Sequence, residues 1–189
     1  MAYELSPEQK TLLLDVARRT IRGKTAGKTK IDLDCPDPKL AEKGAAFVTI
    51  SRKGRLRGCI GQVEARGPLW NCVVEMAGAA ATQDTRFPPV NEDEVDDIDL
   101  EISVLTPMEK VVSLDEIEVG RHGLMMSRGW HRGLLLPQVA TEWDWSRDEF
   151  LSHTAQKAGL PPDAWRDPET EILRFEALVF GEKDLRGEK

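Results

Sequence analysis

Tyrosine occurs once in these 189 residues, and cysteine and histidine three times each. Cys35, Cys59 and Cys72 are odd in number, lie 24 and 13 residues apart and form no C-x-x-C pair. That pattern excludes a disulfide framework and leaves reduced thiols. His122, His131 and His153 show no metal-ligand spacing with one another or with the cysteines, so neither a metal site nor a cofactor is expected. Long apolar runs are missing too. The best, Gly133-Leu134-Leu135-Leu136, is ended by Pro137, far short of the roughly 18 residues that a bilayer span needs. Met1-Ala2-Tyr3-Glu4-Leu5 has no basic stretch followed by an apolar one, so the expected compartment is the cytoplasm, with no membrane partner. Positive charge is not in excess either. The net charge of −7 argues against a nucleic-acid partner.

What is present points to a globular α+β chain. Forty per cent hydrophobic residues supply a sizeable core for one domain or two small, closely packed ones. Ser6-Pro7-Glu8-Gln9 starts a helix over about 7–22, with Ser6 as N-cap and Gln9 closing a capping box. Leu12, Leu13, Val16, Ala17 and Ile21 form its apolar stripe, and Gly23 is the expected stop. Phe47-Val48-Thr49-Ile50 and Leu56 to Val63 read as a hairpin turning at Gly54, followed by a helix opened by Pro68. Glu92 to Glu101 holds seven carboxylates in ten residues and reads as a solvated turn; the glycine that turns an EF-hand loop is missing. Ile98, Leu100, Ile102 and Val104 alternate as a half-buried strand. A second hairpin is expected around Ser127-Arg128-Gly129. A helix capped by Ser146 and Glu149 follows, then a last strand through Leu173, Phe175, Ala177 and Val179.

Two stretches echo each other. Residues 44–81 run hairpin then helix with Arg57-Gly58-Cys59-Ile60 in the second strand. Residues 121–160 do the same with Arg132-Gly133-Leu134-Leu135, 75 residues on. The echo points to a duplicated β-rich unit with helices outside, its halves at about 44–105 and 119–180.

Gly23-Lys24-Thr25-Ala26-Gly27-Lys28-Thr29 is not a phosphate loop. It has three residues between its glycines where four are needed, and a helix precedes it where a strand should. The informative segment is Arg55-Leu56-Arg57-Gly58-Cys59-Ile60-Gly61. A regular strand puts Leu56, Gly58 and Ile60 on one face and Arg55, Arg57 and Cys59 on the other. A cysteine among arginines is a candidate nucleophile, and Gly58 and Gly61 would let a ligand approach the backbone. Equally, Cys59 can pack as a small hydrophobe and the glycines can make a bulge. Arg86, in Asp84-Thr85-Arg86-Phe87-Pro88-Pro89, can hold an anion with Asp84 orienting it, or the two can brace the loop. His122 can supply acid–base chemistry or be a satisfied structural histidine. Trp130, Trp143, Trp145 and Trp165 read as core and rim packing.

Leu56-Arg57-Gly58-Cys59-Ile60-Gly61 resembles the signature hexapeptide of the AMMECR domain, also called AmmeMemoRadiSam system protein A. Phe47-Val48-Thr49, Asp84 to Pro89, Glu101 to Leu105, His122-Gly123-Leu124, Leu136 to Ala140 and Lys157-Ala158-Gly159-Leu160 fall in that family's order, from about Glu4 to Phe180. The resemblance implies a single α+β domain with an internal duplication, one curved, barrel-like and mostly antiparallel sheet, and outer helices. It also implies association with a Memo-like protein and a radical-SAM protein. Thr85 stands where the family often has proline, and Ala155 where many microbial members have a second cysteine, which counts against a two-cysteine mechanism.

Three functions remain open at this level. One is an enzyme or enzyme subunit with Cys59 as nucleophile, His122 as base, and Arg57 and Arg86 binding a small anionic substrate. The second is a non-catalytic anion or nucleotide binding module. The third is an adaptor for the Memo-like or radical-SAM partner.

Overall fold

A computed structural model describes residues 4–28 and 34–187 of the chain, in two compact units. The first comprises residues 4–105 and 178–187, the second residues 106–177. The class is α+β, and every strand pair detailed below is antiparallel.

In the first unit, helix α1 (Pro7–Thr25) starts at its expected capping box, Ser6 and Gln9 exchanging hydrogen bonds. It does not stop at Gly23, which is a buried residue inside the helix. The stop is Gly27, with φ +78°, where the N–H groups of Gly27 and Lys28 donate to the carbonyls of Lys24 and Gly23. A left-handed residue is what such a closing turn requires, and Gly27 adopts it. Gly23-Lys24-Thr25 therefore belong to a helix end; Thr29 lies outside the described residues.

Strands β1 (Lys43–Arg52) and β2 (Arg55–Gly61) form the expected hairpin, and a short β3 (Gly67–Pro68) pairs with the start of β1. Helix α2 (Leu69–Thr82) follows, and β4 (Ile98–Leu105) pairs with β1, giving the order β2-β1-β4. Ala46, Val48 and Ile50 of β1 and Leu100, Ile102 and Val104 of β4 turn one face into the core. There they join Leu13, Val16, Ala17 and Ile21 of α1 and Leu69, Val73 and Ala80 of α2. Each such Leu, Ile or Val contributes about 1.5–3 kcal/mol by leaving water. The acidic stretch before β4 is more than a solvated turn. Glu94 and Asp97 pair with Arg52, Asp96 pairs with Arg22 and Asp99 with Lys183.

The second unit contains β5 (Glu109–Lys110), β6 (His122–Arg128), β7 (His131–Leu135), α3 (Pro137–Glu142), α4 (Arg147–Lys157) and most of β8 (Glu171–Gly181). Its strands run β7-β6-β8-β5. Leu124, Met126 and Ile172 pack with Ala140 of α3 and Phe150, Leu151 and Ala155 of α4. The end of β8 and helix α5 (Glu182–Arg186) belong to the first unit, where Glu182 accepts from the Arg18 guanidinium and from Leu100 N–H.

The hairpin–helix echo is a real structural correspondence. A Cβ on Gly58 would lie 2.3 Å from the carbonyl oxygen of Ala80, near the end of α2. A Cβ on Gly133 would lie 2.2 Å from the backbone nitrogen of Ala158, at the end of α4. In each unit a helix end thus closes onto a glycine of the second hairpin strand, a distance no side chain permits. Of the tryptophans expected in core and rim, Trp145 and Trp165 pack against the core of the second unit and the other two depart from expectation. Trp130, in the β6–β7 turn beside Gly129, is fully exposed, because a turn tip has no sheet face to receive it; Trp143 is exposed as well. Trp145 stacks between Trp143 and His153, and Trp165 donates to Ser152.

Candidate functional site

The hexapeptide does not form the regular strand that period two predicts. β1 and β2 pair Thr49 with Cys59 and Ile50 with Gly58, but the next pair is Ser51 with Leu56, so Arg57 is an extra, bulged residue. The bulge inverts the faces on its far side. Leu56 shares the face of Cys59, Thr49 and Ser51, while Arg55 falls on the Gly58 side with Ile50 and Arg52. The expected grouping of Arg55, Arg57 and Cys59 is therefore wrong, because alternation cannot survive an inserted residue.

Arg57 is consumed by structure. Its Nε and Nη2 hold the Glu94 carboxylate at 3.2 and 2.9 Å, while Nη1 and Nη2 donate to the carbonyls of Pro88 and Pro89. Its side chain is 13% exposed. Glu94 also accepts from Arg52 and from Asn91 N–H. The Arg57 hydrogen bonds, with these further partners, lower its pKa to about 2. Arg57 thus latches the loop that follows α2 onto the edge strand β2, and it is not available to an anionic substrate.

Cys59 sits where β2 has no neighbouring strand, and two side chains take that neighbour's place. Asp84 Oδ2 accepts from Cys59 N–H at 2.8 Å, and Arg86 Nη2 donates to Cys59 C=O at 3.2 Å. An edge strand's unpaired backbone is thereby answered by an ion pair. The pair itself is bidentate, Nε to Oδ1 at 2.9 Å and Nη2 to Oδ2 at 2.7 Å. Asp84 is buried, and the Arg86 guanidinium, aided by the Cys59 and Arg86 N–H groups, holds its carboxyl well below the usual carboxylate range. Arg86 is 54% exposed, and its Nη1 has no partner among the described residues. Across the hairpin, Thr49 Oγ1 donates to Cys59 Sγ at 3.3 Å. Cys59 is half-buried, whereas burial pushes the Cys72 thiol up to about 11 and Cys35 donates to Asp37 C=O.

Cys59, Asp84 and Arg86 are thus brought together. Gly58 and Gly61 are not openings for a ligand: the first faces the end of α2, and a Cβ on the second would lie 2.2 Å from the Phe47 ring. His122 belongs to the second unit, where its Nδ1 accepts from Glu118 N–H at 3.0 Å. Thr49 and Glu94 were missed by reasoning along the chain. The partners of Cys59 and Arg57 are set by hairpin register and loop folding, and no spacing signals them. Among the described residues, no three His, Cys, Asp or Glu side chains converge as a metal-binding group, and no helix is long and apolar enough to cross a membrane.

Residues 14–180 match the family model described as AMMECR1. A protein of Methanothermobacter thermautotrophicus is 50% identical, covering 94% of this chain and 96% of its own. Protein MK0488 of Methanopyrus kandleri is 44% identical over 99% and 95%. The crystal structure of uncharacterized protein PH0010 from Pyrococcus horikoshii superposes with a TM-score of 0.91 at 39% identity, covering 96% of this chain and 95% of that one.

Proposed function

The chain belongs to the AMMECR1 family, and from that premise we propose that its first unit carries a thiol site, with Cys59 as nucleophile and Arg86 receiving the anionic group of a small substrate. The observation that carries this reading is the clamp on Cys59. Its N–H, C=O and Sγ are each hydrogen-bonded, by Asp84, Arg86 and Thr49. A residue held at three points presents its sulfur in one place, and such positioning is a large part of what a nucleophile needs. Arg86 adds an exposed cation whose Nη1 donors remain open beside that residue. Arg57 and the two glycines hold the frame and do not touch the substrate.

The test is competitive alkylation with iodoacetate, an anion, and iodoacetamide, its neutral counterpart, resolved by peptide mapping. Cys59 should label faster than Cys35 and much faster than Cys72. The iodoacetate-to-iodoacetamide ratio should be higher at Cys59 than at Cys35 and should fall to the Cys35 value in Arg86→Gln. An unreactive Cys59 in the folded protein means it only packs. A ratio indifferent to Arg86 means the Asp84–Arg86 pair only braces the loop. Either result ends the proposal.

A further inference from the structure

In the second unit, Leu124 and Met126 of β6 and Ile172 of β8 share one buried apolar face. Followed along the same strands at period two, that face reaches His122, Arg174 and Glu176. It turns polar here while His122 stays buried, at 5% exposed, and Arg174 and Glu176 stay half-buried; Glu109, at the rim, reaches solvent. With Thr106 and Glu109 these side chains line a cavity of about 240 Å³. At roughly 30 Å³ per liquid water, that is room for about eight waters, or one molecule of amino-acid size.

The lining has hydrogen-bonding capacity that the protein does not use. His122 Nδ1 accepts from Glu118 N–H, so the ring proton sits on Nε2, which has no partner among the described residues. Burial and the nearby Arg174 and Arg121 lower the histidine's pKa and keep it neutral. Thr106 Oγ1 accepts from Glu176 N–H at 2.8 Å, leaving its own proton free among the described residues. Glu176 gives Oε1 to Arg121, and Glu109 gives Oε2 to Arg174 at 3.3 Å, so one oxygen of each carboxylate is open among the described residues. Two donors and two acceptors therefore face one space. Glu109 and Glu176, with Glu116 and Glu118 beside them, outnumber Arg174 and Arg121, so the site is acidic, which disfavours a bare anion, and an apolar guest would leave the spare donors and acceptors unsatisfied.

We infer that this cavity binds a small ligand carrying an ammonium group and an oxygen acceptor a few bonds apart, as an amino acid or amino alcohol does. The ammonium meets Glu176 and Glu109, and the oxygen accepts from His122 Nε2–H and Thr106 O–H. The site is independent of Cys59.

Four probes test it by NMR titration of the full chain, read at the His122 ring and the Glu118 amide. L-Alanine and ethanolamine carry both groups; propionate and propylamine carry one each. At least one of the first two should give saturable shifts at millimolar concentration, with propionate and propylamine about tenfold weaker or worse. Which of the two binds distinguishes a carboxylate from a hydroxyl acceptor. His122→Asn keeps an acceptor for Glu118 N–H but removes Nε2–H, and should weaken binding by about tenfold. No binding by either bifunctional probe, or equal binding by propionate or propylamine, overturns the inference on the wild-type protein alone. So does wild-type affinity in a folded His122→Asn.

Discussion

The two hairpin–helix segments share a frame and differ in what they hang on it. In both, a helix ends against a glycine of the second strand, Gly58 beneath Ala80 and Gly133 beneath Ala158. After each helix comes a proline pair, Pro88-Pro89 in the first unit and Pro161-Pro162 in the second. The first connection is longer, residues 83–87 against 158–160, and the added length carries Asp84 and Arg86, which reach back to Cys59. The second hairpin has Leu134 at that place, in unbroken register with Met125. Arg57 is extruded by a bulge and latches the loop, whereas Arg132 keeps its place opposite Ser127. A close-packed glycine is thus what the shared frame requires, and polar contacts are added where a loop is long enough to fold back onto the strand.

The comparison breaks first at the glycines. Gly58→Ala and Gly133→Ala each drive a Cβ into backbone that cannot swing aside, so each should lower unfolding free energy by about 3 kcal/mol in denaturant titration. A neutral result at either one would mean that the helix ends do not play the same part.

The Arg57 latch comes next. Arg57→Ala removes the main partner of a mostly buried carboxylate and should cost about 2 kcal/mol near neutral pH. The sign of its pH dependence follows from Glu94, whose pKa falls from an ordinary 4.5 to about 2 in the folded protein. A carboxyl lowered on folding stabilises above its unfolded pKa and loses that contribution as pH falls toward the folded value. Wild-type stability should therefore decline between about pH 4.5 and 2, and Arg57→Ala should decline less over that window, as followed by thermal unfolding at each pH. An unchanged slope would remove Glu94 from the account.

Smallest of all is the exchange that makes the first hairpin imitate the second. Cys59→Leu loses one weak hydrogen bond at a half-buried position and should change stability by about 1 kcal/mol or less while abolishing labelling at this site. A cost of several kcal/mol would show that the cysteine is kept for packing.

Much of this was legible along the chain, and the failures share a cause. The Ser6 and Ser146 caps and the 75-residue echo depend on neighbours within a few positions or on simple periods, and all are present, whereas the alternation of β4 holds only to Ile102, beyond which Ser103 and Leu105 are buried as well. The bulge at Arg57 overturns the period-two face assignment, because nothing in the local alternation marks an inserted residue. Gly23 is the stop that the apolar period implies, but a glycine ends a helix only where the backbone turns left-handed, and that happens at Gly27.

By itself the sequence determined the α+β class, the capped helices and the paired hairpins, because hydrophobic period and capping chemistry act over a few residues. It also marked Cys59, Asp84 and Arg86 as noteworthy. Only the tertiary structure decided that those three meet while Arg57 turns to Glu94, and that His122 lines a cavity with Arg174 and Glu176. Those contacts join residues 25 to 54 positions apart. Strand register and loop length set such distances, and neither can be read from local pattern.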